Sequence, residues 1–154
     1  MDMKETILSE LEKIEEQYGV RVLHAVESGS RAWGFASPDS DYDVRFVYVR
    51  PAADYLRLDE PRDVIEWKTD EVLDINGWDL KKALLAFAKG NPNIMEWANS
   101  PIIYRKAPEW DGIRELLVRT PWEEKPCILY DLEGGSVTET WLDTAPPELN
   151  DHAG

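Results

Sequence analysis

The chain has 154 residues, 43% hydrophobic and 31% charged, with seven tryptophans; that suffices for one domain with its own core and excludes disorder along the whole length. Acidic residues number 31 against 17 basic ones, a formal charge of -14, so no broad nucleic-acid-binding surface is expected and any such contact should be local or metal-assisted. One cysteine, Cys127, excludes an intramolecular disulfide and a cysteine-built zinc site.

Ile7, Leu11, Ile14 and Tyr18 recur at helical spacing among charges and Gly19 follows them, so residues 3–18 are expected to form an amphipathic helix. This charged opening lacks the apolar core of a signal peptide, and nowhere does the chain approach the roughly 18 apolar residues of a membrane span. With the lone thiol, that points to a cytoplasmic protein with no membrane contact. The β-branched run Val20 to Val26 predicts a strand leading into Glu27-Ser28-Gly29-Ser30. A second strand is predicted from Asp43 to Val49, with Val44, Phe46 and Tyr48 on one face and Arg45, Val47 and Val49 on the other.

A connection follows from Pro51 to Pro61, then short strands at Val64–Trp67 and Val72–Ile75, with Asn76-Gly77 as a turn. Asp79 is placed to cap a helix whose stripe is Leu80, Ala83, Leu84 and Phe87; Asn91-Pro92 opens another carrying Ile94, Met95 and Trp97. Pro108 to Arg119 supplies a last helix through Ile113, Leu116 and Leu117. Beyond Thr120 periodicity fails, so residues 1–120 are expected to form the folded domain and 121–154 an irregular, partly disordered tail, with 143–154 disordered.

The chemistry concentrates between Glu27 and Asp43. Residues i and i+2 on a strand share a face, so Asp41 and Asp43 can present carboxylates together, and two such groups need a cation between them. Magnesium or manganese suits this all-oxygen pair and would support two-metal transfer of a phosphoryl or nucleotidyl group. Gly29 would let backbone approach a triphosphate, Ser30 would add a hydroxyl, and a helix starting at Arg31 would offer free amides. A third carboxylate is expected on a neighbouring strand. Asp74, between Leu73 and Ile75, is preferred as metal ligand or base over Asp79, which the helix cap already explains.

Gly29-Ser30, ten intervening residues and Asp41-x-Asp43 resemble the signature of the DNA polymerase β superfamily of nucleotidyltransferases. The wider blocks ESGSRAWGFASPDSDYDVRFVYV, LDINGWDLKKAL and NPNIMEWANSPIIY resemble the nucleotidyltransferase family that includes the polymerase β-like proteins of RNA-repair operons. The resemblance implies an α+β fold, a mixed sheet with helices against one face. It also implies that Ser30 contacts nucleotide phosphates, that Asp41, Asp43 and Asp74 bind metal, and that Arg31 and Lys82 are candidates to touch phosphate.

The implied reaction transfers a nucleoside monophosphate from a nucleoside triphosphate to an acceptor hydroxyl, on an RNA end or a protein. Similar family members continue into a helical region after the SPIIY block, whereas this chain runs into its aperiodic tail. The competing expectation is therefore a catalytically weak nucleotide-binding or antitoxin-like interaction module. His24 and His152, far apart and unaccompanied, are read as structural, and the tryptophans as core.

Overall fold

The computed structural model describes residues 2–68, 70–119, 129–131 and 136–138. In chain order the elements are α1 (Met3–Tyr18), β1 (Arg21–Glu27), a 3-10 turn (Ser30–Trp33), β2 (Tyr42–Val49), α2 (Ala52–Tyr55), β3 (Val64–Lys68) and β4 (Leu73–Asp79). Then come α3 (Leu80–Ala88), α4 (Pro92–Asn99), β5 (Ile103–Lys106), α5 (Pro108–Arg119), β6 (Leu129–Asp131) and β7 (Ser136–Thr138). The main sheet has five strands in the order β3-β4-β2-β1-β5. It is mixed: β2 and β4 run parallel and the other pairs antiparallel.

Two apolar layers sandwich this sheet. On one face Ile7, Leu11 and Ile14 of α1 pack against Val44, Phe46 and Tyr48 of β2 and Leu73 and Ile75 of β4. On the other, Val47 meets Ala83 of α3, Ile94 and Trp97 of α4 and Trp110 of α5. The two-residue alternation of β2 is what divides its side chains between the layers. The expected α+β class and mixed sheet are present. The expected single helical layer holds for α3, α4 and α5, and α1 adds a second across the sheet.

The expected turn at Asn76-Gly77 is absent, because β4 continues to Asp79. Gly77 lies opposite Phe46 on the neighbouring parallel strand, and the Phe46 ring fills the space a Cβ would need. A glycine inside a strand marks close approach here rather than a turn. Burying a Phe side chain is worth about 1.5–3 kcal/mol, which outweighs the roughly 0.5–1 kcal/mol entropic cost of the glycine.

Asp79 caps α3, accepting from the Lys81 amide at 2.8 Å, and Asn91 caps α4 in the same way. Within the expected irregular tail, residues 129–131 and 136–138 form an antiparallel pair; the rest of 121–154, including 143–154, lies outside the described residues. Among the described residues no helix is long and apolar enough to cross a membrane.

Candidate functional site

β1 and β2 are antiparallel while β2 and β4 are parallel, so the end of β1 and the starts of β2 and β4 meet at one end of the sheet. The Gly29-Ser30 turn leaves β1 there. The Ser28 amide donates to the Asp43 carbonyl at 2.8 Å, stitching the turn to β2. Gly29 abuts the Asp43 side chain, and a Cβ on residue 29 would overlap Asp43 Oδ2. A side chain at residue 29 would have to push the Asp43 carboxylate aside.

Asp43 and Asp74 are register partners across the parallel pair, each with a side chain 39% exposed. They lie on the sheet face opposite α1, since their neighbours Val44, Leu73 and Ile75 fill the α1 layer. Between them sits Arg45, whose guanidinium Nη2 lies 3.0 Å from Asp74 Oδ2 and 3.8 Å from Asp43 Oδ1. Asn76 donates to both Asp74 carboxylate oxygens at 3.0 Å. Asp41 immediately precedes β2 and is exposed, with Tyr42 between it and Asp43 packed toward the α1 layer.

Ser30 opens the 3-10 turn and is exposed. The start expected at Arg31 is thus a single turn rather than a full helix. Arg31 is already engaged: its guanidinium stacks 3.9 Å above the Tyr42 ring and donates to the Ser40 carbonyl. That brace ties the loop between the turn and β2 to the strand that carries Asp43.

Lys82 is not brought to this group. It lies in the first turn of α3, beyond the far end of β4, with Nζ 3.8 Å from Asp63 and 5.3 Å from the Trp78 ring centroid. Five residues of strand at about 3.3 Å each put Asp79 roughly 16 Å from Asp74. The structure therefore places Lys82, expected to touch phosphate, apart from the Gly29–Asp43 group; the block holding it runs the length of β4 and past the opposite end. Asp79 is at that end too, buried and accepting from the Tyr55 hydroxyl at 2.8 Å. Of the two rivals, only Asp74 stands beside Asp43.

Three residues escaped the sequence reading. The sequence assigns Arg45 and Asn76 only to a strand face and a turn, and their partnership with Asp74 depends on β2–β4 register. Glu27 is fully buried beneath the site, accepting from the Asp43 amide at 3.2 Å and the Tyr104 hydroxyl at 3.4 Å. Burial pushes its carboxyl pKa upward, while the Asp43 amide pulls the other way. A glutamate directly after the apolar pair Ala25-Val26, at the end of a β-branched strand, is the available signal.

Among the described residues no three His, Cys, Asp or Glu side chains are gathered closely enough to constitute a metal site; the guanidinium of Arg45 stands between the Asp43 and Asp74 carboxylates. The donors are nevertheless those of a hard divalent cation. Half-exposed carboxylates at Asp43 and Asp74, with exposed Asp41 two residues before, offer oxygen ligands and leave coordination positions for water or substrate. The chemistry of the donor set fits such an ion.

The model of the RNA repair pathway DNA polymerase beta family matches residues 3–130. That reaches both beyond the quoted blocks and beyond residue 120. An uncharacterized protein of Bacillus subtilis (strain 168), YcgL, is 53% identical over 105 residues, covering 68% of this chain and 40% of that protein. The matched region therefore spans well under two thirds of that relative's length. The sequence blocks and the fold that assembles them lead to one assignment: the chain belongs to the RNA repair pathway DNA polymerase beta family.

Proposed function

We propose that this chain is a metal-dependent nucleotidyltransferase that moves a nucleoside monophosphate from a nucleoside triphosphate to an acceptor hydroxyl, with pyrophosphate leaving. The observation that carries the reading is the in-register Asp43–Asp74 pair beside the Gly29-Ser30 turn, in a chain of this family.

In this reading Asp41 and Asp43 hold magnesium or manganese, with Asp74 the third carboxylate as ligand or base. The bound metal supplies charge neutralisation at the triphosphate and polarisation of the attacking hydroxyl. Gly29 leaves space for the Asp43 carboxylate, while exposed Ser30 donates a hydroxyl to the phosphates. Arg31 holds the intervening loop and stands near enough to that turn to add positive charge. Asn76, bonded to both oxygens of Asp74, fixes the orientation of that carboxylate. The acceptor, an RNA end or a protein hydroxyl, enters from the solvent-facing side of these groups.

Calorimetric titration with a non-hydrolysable nucleoside triphosphate, with and without magnesium, tests the reading. Asp41→Asn and Asp43→Asn should each abolish metal-dependent binding in a folded protein. Equal metal-dependent binding by wild type and both variants would overturn it. Incubation with labelled triphosphates, RNA and cell extract then identifies the acceptor, and binding without transfer to either would favour a nucleotide-binding module.

A further inference from the structure

We propose that Arg45 is the resident counter-charge of the Asp43–Asp74 pair, and that a divalent cation must displace it to bind there; the proposal rests on the site assignment above. Two carboxylates on adjacent strands repel each other unless a cation lies between them. Arg45 meets that need from within the same sheet: Nη2 lies 3.0 Å from Asp74 Oδ2 and 3.8 Å from Asp43 Oδ1. Its other terminal nitrogen donates to the Val44 carbonyl at 2.9 Å.

The placement gives the guanidinium a second function. Its side chain is 20% exposed, so it has a route to solvent, and Nη1 ties it to main chain through the Val44 carbonyl at 2.9 Å and, more weakly, the Asp74 carbonyl at 3.5 Å. A divalent ion offers twice the charge to the same oxygens, and a guanidinium left beside it would be repelled. Metal binding to the free protein therefore breaks the Arg45–Asp74 pair, which weakens that binding. A triphosphate arriving with the metal gives the released guanidinium an anionic partner. Metal and triphosphate thus bind cooperatively, and Arg45 becomes a positioning residue that keeps the site closed to metal alone.

The test measures Mn2+ alone, without nucleotide, by electron paramagnetic resonance on the full chain, counting the binding that Asp43→Asn removes. Arg45→Gln should bind about tenfold tighter than wild type, and Arg45→Lys, which keeps the charge, should stay within about threefold of wild type. Unchanged or weaker binding by a folded Arg45→Gln overturns the proposal, as does Arg45→Lys binding as tightly as Arg45→Gln. If Asp43→Asn removes Mn2+ binding but Arg45→Gln does not tighten it, the site assignment stands and this proposal alone falls. If no protein shows Asp43-dependent binding, both fall. A measurement on the unmodified chain serves should Arg45→Gln not fold: the NMR signals of the Arg45 guanidinium should lose their restraint as Mg2+ is added, and restraint persisting at saturation of Asp43 overturns the proposal.

Discussion

Gly29 and Asp43 are in direct contact, the Oδ2 atom of the aspartate filling the volume that a side chain at residue 29 would occupy. The glycine serves the carboxylate at least as much as it serves any phosphate. Even a methyl group should therefore damage the site: Gly29→Ala is expected to turn Asp43 aside and weaken metal-dependent triphosphate binding at least about tenfold. Ser30→Ala should weaken it by about 0.5–1.5 kcal/mol, or up to about 3 if the hydroxyl meets phosphate charge. Calorimetry on both folded variants checks the order, and a worse loss from Ser30→Ala would count against the contact's role.

Asp74 and Asp79 should separate by phenotype. Asp79 is buried, caps α3 and accepts from Tyr55, so Asp79→Ala is expected to cost about 1–3 kcal/mol of stability. Asp74→Asn should barely move the unfolding midpoint and should impair metal-dependent triphosphate binding. Denaturant melts paired with calorimetry read both.

For Lys82 the expected result is negative. Its ammonium group faces Asp63 and Trp78 at the far end of β4, so Lys82→Ala should leave triphosphate affinity within about twofold of wild type. A loss of tenfold or more in a folded variant would mean that phosphate binding extends to that end of the sheet.

Gly77→Ala should destabilise the protein by about 1–3 kcal/mol, since the added methyl meets the Phe46 ring in a closed core layer. Urea denaturation measures this. Pairing it with Phe46→Leu should recover part of the loss, because the smaller side chain vacates the contested volume.

His24 makes stability depend on pH. It is buried, stacks on Trp110 with ring centroids 4.5 Å apart, and donates from Nε2 to the Trp97 carbonyl at 2.9 Å. Burial, only partly offset by that hydrogen bond, lowers its pKa from 6.5 to about 4. The unfolded chain thus takes up a proton that the folded chain resists. The stability from this residue is full above about pH 6.5 and falls by roughly 1.4 kcal/mol per pH unit as pH drops toward 4. His24→Phe keeps the stacking and should lose this slope; melts of both proteins at pH 7 and 4.5 give the difference.

Much of the frame was legible because it is local. Residues 3–18 and 108–119 carry their helices in the spacing of apolar side chains, Gly19 ends α1 with φ of 62°, and the alternation of β2 assigns Val44, Phe46 and Tyr48 to one layer. Glycine and alternate aspartates point to the neighbourhood of the candidate site as well, through spacing alone, although β2 begins at Tyr42 and Asp41 precedes it. Pairing between strands decided the rest. Only the β2–β4 register sets Asp74 beside Asp43, puts Arg45 between them, hands Asn76 to Asp74 and sends Lys82 to the opposite end. The same register turns Gly77 from a turn residue into the space occupied by Phe46. A strand's sequence states which side chains share a face; which neighbours they meet follows from hydrogen bonding between segments 31 residues apart, and no local pattern encodes that.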